Sequence, residues 1–78
     1  MPKLPALTGG EMLKFLEHEG FVVTRSRGSH FRLKHREQRL STTIPIHGKE
    51  MLRPGTLLGI LSDIHMSKEE FCRKMHID

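Results

Sequence analysis

The chain has 78 residues, of which 36% are hydrophobic and 28% charged, and its formal net charge is +4. A chain of this length has room for one domain with a modest core, and an enclosed pocket of ~300–1,000 Å³ would take a large share of that interior. We therefore expect residues 1–78 to form a single domain that binds its ligand on an open face.

The aromatic and cysteine contents argue against two further classes of protein, RNA binders that stack bases on aromatic side chains and disulfide-bonded proteins. Four Phe with no Trp or Tyr are too few for a core and a base-stacking platform as well. The lone Cys72 excludes an internal disulfide, and we expect it to be a small buried residue. There is neither a signal-peptide pattern nor a long apolar run, which predicts a cytoplasmic protein with no membrane partner.

The first predicted element is a helix. Thr8 and Glu11 have the spacing of a capping box, and the helix is expected to run to about Glu19. Gly20 follows where a left-handed residue commonly ends a helix. The apolar stripe of this helix consists of Met12, Leu13, Phe15 and Leu16.

Three strands are predicted next. They cover about residues 21–27, 30–36 and 40–46, with Gly28-Ser29 as the first turn. In the second strand Phe31 and Leu33 alternate with the polar set His30, Arg32, Lys34 and Arg36. In the third, the same alternation separates Leu40, Thr42, Ile44 and Ile46 from Ser41, Thr43, Pro45 and His47. Such strands form an antiparallel sheet covered on one face, and a proline suits an edge strand or a strand end.

Two helices are predicted to close the chain. Pro54 suits a first helical turn, and Leu57, Ile60, Leu61 and Ile64 follow with helical spacing. Gly59 inside this helix suggests a close packing contact. Ser67 and Glu70 repeat the capping-box spacing and open a short helix to about His76. The expected fold is α+β, in the order α-β-β-β-α with a short extra C-terminal helix, and with the helices on one face of the sheet.

Positive charge is concentrated in residues 25–39. This stretch contains one carboxylate, Glu37, and six cations, whereas the rest of the chain is close to neutral. The cations are Arg25, Arg27, Arg32, Lys34, Arg36 and Arg39. Charged outer strand faces are often merely solvated. This asymmetry exceeds what solubility requires, and it favours binding of a polyanion such as RNA.

His30 lies within this basic stretch. A histidine can act as acid or base at neutral pH, and RNA hydrolysis needs a base for the 2′-OH and an acid for the leaving 5′-oxygen. Neighbouring cations can stabilise the charge that develops on the phosphate. The residues alone leave a second interpretation open, in which His30 is an exposed histidine that binds phosphate or nothing.

His47 belongs to the same face by alternation and is a second candidate acid, base or phosphate contact, or simply a loop residue. The other four histidines are assigned no role. No Cys pair or His-Glu-x-x-His motif is present, so a metal site is not expected.

Four segments together resemble a known family. They are Gly20-Phe21-Val22-Val23, Arg25-x-Arg-Gly-Ser-His30, Thr43-Ile-Pro-Ile-His47 and Leu52-x-Pro-Gly-Thr-Leu57. In this order they resemble the HicA (YcfA-like) toxins over nearly the whole chain, and Ser67-Lys-Glu-Glu-Phe71 is similar to the C-terminal end of that family.

The resemblance implies a type II toxin with a double-stranded-RNA-binding-domain-like fold. It implies an mRNA interferase, a metal-independent endoribonuclease without cofactors that a HicB-type antitoxin neutralises, with which it would form a hetero-oligomer. His30 matches the catalytic histidine of the family, whereas His47, Ser29 and Gly28 are auxiliary candidates. The expected RNA-binding residues are Arg25, Arg27, Arg32, Lys34 and Arg36.

Two other functions stay open. The same face could belong to a non-catalytic RNA-binding module, or serve mainly as a docking site for a protein partner.

Overall fold

Three helices and three strands make up the computed structural model, which describes residues 3–76. In chain order they are α1 (Gly9–His18), β1 (Phe21–Arg27), β2 (His30–His35), β3 (Ser41–Pro45), α2 (Pro54–Asp63) and α3 (Lys68–Lys74). The strands form one antiparallel sheet in the order β1-β2-β3. This is the expected α-β-β-β-α arrangement, with α3 as the short extra helix. Within residues 3–76, no helix has the length and apolar character needed to cross a membrane.

The ends of α1 are those predicted from the sequence. The Thr8 hydroxyl accepts from the Glu11 N–H at 3.1 Å, and the Glu11 carboxylate accepts from the Thr8 N–H at 2.8 Å. Gly20 has a φ of 100°, a conformation that glycine adopts without the steric cost of a side chain. A Cβ added there would lie 2.7 Å from His35 Nε2. The capping box and the glycine stop are both confirmed.

The two later helices differ in detail from expectation. At Ser67 only half of the predicted box forms, since its hydroxyl accepts from the Glu70 N–H at 3.0 Å. Helix α3 ends at Lys74, because Met75 caps it and His76 has a φ of 59°.

The prediction of a close packing contact at Gly59 is wrong. Gly59 is exposed, and a Cβ built on it would meet nothing within 4 Å. The buried positions of α2 are Leu57, Ile60 and Leu61. At 100° per residue, position 59 points away from all three.

The core lies between the helices and one face of the sheet, called here the inner face. Leu33 and Ile44 of the inner face are fully buried, as are Met12, Leu16 and Phe71 of the helices. Thr42 is also buried, and its hydroxyl donates to Asp63 at the end of α2 at 2.9 Å. Among residues 3–76, no helix covers the opposite, outer face of the sheet, where His30, Arg32 and Lys34 are exposed.

A bulge in β1 changes which side chains share a face. Val23 pairs with Leu33, but the next pair is Arg25 with Arg32, so Thr24 is an extra residue. If Thr24 instead paired with Arg32 in a regular ladder, Arg25 and Arg27 would share the inner face with Val23, because alternate residues of a strand share a face. The bulge turns both arginines to the outer face. The Thr24 hydroxyl donates to the Arg32 carbonyl at 3.4 Å.

The first turn of α1 rests against the end of β3. A Cβ added at Gly9 would overlap the carbonyl oxygen of Pro45 and lie 2.9 Å from the Ile46 side chain. Gly9 is itself buried. The missing side chain therefore lets the helix approach the backbone that leads into His47.

Candidate functional site

The turn between β1 and β2 positions His30. Gly28 has a φ of 59°, the left-handed value that a type II′ hairpin turn requires at its first central residue. Ser29 is the second central residue, and His30 is the first residue of β2. Because β2 is the central strand, His30 has a strand on either side of it.

The cross-strand partners of His30 are Arg27 on β1 and Pro45 on β3. Its side chain is exposed on the outer face. Strand β3 ends at Pro45, which has no N–H to contribute to the ladder. The imidazole of His30 is thus exposed on the outer face, and its neighbour on β1 is Arg27.

His47 lies close to the same turn, although β3 stops before it. Its Nε2 is 3.4 Å from the Ser29 hydroxyl, and the N–H of Ile46 donates to the Ser29 carbonyl at 2.7 Å. Ser29 thus contacts the segment of His47 through both backbone and side chain. The structure therefore brings Gly28, Ser29, His30 and His47 together at one turn.

Basic side chains continue from His30 along the outer face. Two residues beyond His30, Arg32 lies between its partners Arg25 and Thr43. Its Nη2 donates to the Ser41 hydroxyl at 3.2 Å, and its Nη1 lies 3.5 Å from the Thr43 hydroxyl. These two hydroxyls orient the guanidinium along β3 and leave other N–H donors free for a ligand.

The remaining expected RNA-binding residues are exposed as well. Lys34 lies opposite Ser41, and Arg36 follows the end of β2, where its N–H donates to the Gly20 carbonyl at 3.0 Å. Within residues 3–76 the single ion pair is Lys74 with Glu19, at 3.3 Å. None of the outer-face cations has a carboxylate partner there.

His35 has a structural environment that differs from those of His30 and His47. Its Nδ1 accepts from the N–H groups of Glu37 and Gln38, both at 3.0 Å, and its Nε2 contacts the Glu19 carbonyl at 3.0 Å. Two N–H donors on Nδ1 place the ring proton on Nε2. The ring also contacts Phe21 edge-on, with centroids 5.0 Å apart. His35 therefore joins the turn after β2 to the end of α1.

The metal-ligand types do not come together in the described part of the chain. Between residues 3 and 76, no group of three or more His, Cys, Asp or Glu side chains could hold a metal ion. Cys72 is buried, with its thiol 3.5 Å from the Lys3 carbonyl.

Sequence reasoning missed two features of this site. Alternation put Ser41 and Thr43 on the outer face but gave no reason to link them to Arg32. The bulge at Thr24 left no signal, because its polar neighbours suit an exposed strand in either register.

Two comparisons with known proteins bear on the family to which this chain belongs. A search of curated protein sequences gave no match. The family described as HicA toxin of bacterial toxin-antitoxin matches residues 9–66, which is more than half of the chain. The matched range includes the whole sheet, α1 and α2. The chain therefore belongs to the HicA toxin family, the toxin partners in bacterial toxin–antitoxin pairs.

Proposed function

We propose that this toxin is a metal-independent endoribonuclease that cleaves mRNA in the cytoplasm, and that residues 1–78 are a single toxin domain. The observation that carries the proposal is the exposed His30 among outer-face cations that have no carboxylate partner within residues 3–76. Arg25 lies directly opposite Arg32, and like charges in such a pair destabilise a sheet. A phosphate backbone lying across the outer face would offset that repulsion and provide the substrate.

The proposed reaction is a transfer within the RNA. The 2′-oxygen attacks the adjacent phosphorus and forms the new O–P bond, while the bond from phosphorus to the 5′-oxygen breaks. A base takes the proton of the 2′-OH, and an acid gives a proton to the departing 5′-oxygen. The products are a 2′,3′-cyclic phosphate and a 5′-OH end.

His30 is the proposed catalytic residue, acting as base or acid. His47 is the candidate for the complementary proton transfer, because Ser29 contacts it at 3.4 Å and directly precedes His30. Arg25, Arg27 and Arg32 would stabilise the charge that develops on the phosphate oxygens. Lys34 and Arg36 extend the basic surface along the RNA.

The proposed partner is a HicB-type antitoxin that covers the outer face in a hetero-oligomer. Covering His30 would block both RNA access and proton transfer. We expect such a partner to place carboxylates opposite the outer-face cations, because charged groups across a protein–protein interface are arranged to complement each other.

The first prediction tests the catalytic role of His30. We expect His30→Ala to lose at least ~10²-fold of the RNA cleavage rate, the scale of general acid–base catalysis, while it still binds RNA. His18→Ala is the matched control, because His18 is exposed on α1 and should leave cleavage unchanged. Cleavage by His30→Ala at the wild-type rate would contradict the role.

The same assay separates the enzyme from a non-catalytic binding module. Purified protein is incubated with a long RNA in EDTA, and the new ends are analysed. We expect cleavage with cyclic phosphate ends, and no cleavage at a site whose 2′-OH is replaced by hydrogen. RNA binding without cleavage would favour the module, and cleavage that needs added metal would contradict the mechanism.

A further inference from the structure

A cleft of about 240 Å³ adjoins the candidate site on the side of β3. It lies between the end of that strand, the loop that follows and the first turn of α2. Its lining residues are Pro45, His47, Glu50, Met51, Leu52, Arg53 and Thr56. This volume is below the ~300–1,000 Å³ of sites for drug-sized ligands, so a single ring system suits the cleft better than a whole cofactor.

The cleft begins next to His30. Pro45, which lines it, is the cross-strand partner of His30, and neighbouring strands lie about 4.8 Å apart. His47, also in the lining, contacts the Ser29 hydroxyl. A chain whose scissile phosphate lies at His30 would therefore have a neighbouring nucleotide at the cleft.

The lining combines apolar and polar groups in the way that a nucleobase needs. Pro45, Met51 and Leu52 can contact the apolar face of a base, and Met51 is 54% exposed. Glu50, Arg53 and Thr56 offer a carboxylate, a guanidinium and a hydroxyl to its polar edge.

These polar side chains have no other partners in the described structure. Within residues 3–76, none of the Glu50, Arg53 and Thr56 side chains forms a hydrogen bond or ion pair. A phosphate would be repelled by the Glu50 carboxylate, whereas every base offers both an N–H donor and an acceptor on its edge. The contents of the cleft thus favour a base over a phosphate.

We propose that this cleft binds one unstacked nucleobase of the RNA, adjacent to the bond that is cut, and that Glu50 and Arg53 determine which base is preferred. The proposal rests on the proposed function, because it assumes that RNA lies across the outer face. It gives the toxin a cut-site preference.

A binding experiment tests the cleft apart from catalysis. His30→Ala protein is titrated with short single-stranded RNAs that carry an abasic residue at each position in turn. We expect one position whose abasic form binds roughly fivefold to a hundredfold more weakly, the range for contacts to a single base. Glu50→Gln with Arg53→Gln should largely remove that difference, whereas Glu69→Gln, an exposed change on α3, should retain it.

The outcomes distinguish the two proposals. If His30→Ala binds every abasic RNA as tightly as the intact one, or if the double variant retains the full difference, the nucleobase site is refuted. The endoribonuclease proposal then stands on its own cleavage assay. If the protein binds no RNA at all, the proposed function fails and this inference fails with it.

Mapping of cut sites gives a second readout. With an intact His30, Glu50→Gln should redistribute cleavage among the sites of one long RNA. Lys34→Gln should instead lower cleavage at all sites by a similar factor, as loss of a backbone contact does. An unchanged site distribution in Glu50→Gln and Arg53→Gln would overturn the specificity role.

Discussion

At the residue scale, Ser29 and His47 form one contact whose function is testable. Ser29 lies 3.4 Å from His47 Nε2 and would orient that ring for proton transfer. We expect His47→Ala to lower kcat by roughly 10²-fold and Ser29→Ala to lower it less. If Ser29 acts through His47, the double variant should cleave as slowly as His47→Ala alone.

Cleavage kinetics of the three variants measure this coupling. Ser26→Ala is the control, because Ser26 is exposed in the same hairpin and contacts neither histidine by a hydrogen bond. If the fold-reductions in kcat of Ser29→Ala and His47→Ala multiply in the double variant, the two residues act independently. That result would contradict the positioning role of Ser29.

At the element scale, the bulge of β1 sets the composition of the outer face. Deletion of Thr24 should remove the bulge and make Arg25 the direct neighbour of Val23, so that simple alternation keeps Arg25 and Arg27 on the outer face. We expect the deletion to retain RNA affinity within about twofold, whereas Arg25→Gln with Arg27→Gln should lower it on the order of tenfold. The fold should persist, because β1 is exposed from Val23 onwards.

Titration of RNA with the deletion variant and with the double substitution measures the effect, with circular dichroism as the check on folding. A tenfold loss of affinity in a folded deletion variant would contradict this account, because it would show that the bulge itself is needed for RNA binding.

A matched pair of glycine variants tests the helices. Gly59→Ala should raise the free energy of unfolding by roughly 0.5–1 kcal/mol, because Gly59 is exposed within α2 and has room for a Cβ. Gly20→Ala should lower it by about 1 kcal/mol or more, since its φ is 100° and its Cβ would meet His35. Urea unfolding measures both. Equal effects would contradict the assigned environments.

At the scale of the whole molecule, the basic surface predicts how salt acts on RNA binding. Log K should fall linearly with log salt concentration, by roughly 0.7 per phosphate neutralised on a single strand. Neutralising Arg32 or Lys34 should weaken binding and reduce this slope by about one such increment. Neutralising Arg73, an exposed cation of α3, should change neither. If neutralising Arg32, Lys34 or Arg73 reduced the salt slope of RNA binding equally, a localised binding face would be excluded.

Much of the fold was predictable because local chemistry specifies it. Thr8 and Gly20 define α1, and alternation in β2 assigns Leu33 and His30 to opposite faces. The bulge at Thr24 was not predictable, because register depends on pairing between strands rather than on one strand. The cleft was not predictable either, since Pro45 and Arg53 meet only after α2 has packed against β3.

The close approach of Gly9 to Pro45 has a consequence for how the toxin loses activity. The segment that carries His47 has the first turn of α1 directly behind it, so its shape depends on that turn remaining docked. Proteins open in cooperative units well before they unfold globally. Fraying of α1 from its N-terminus would thus release the candidate site while the sheet and its basic face remain intact. Under the proposed function, a warmed toxin would then hold RNA after it had lost the geometry to cut it.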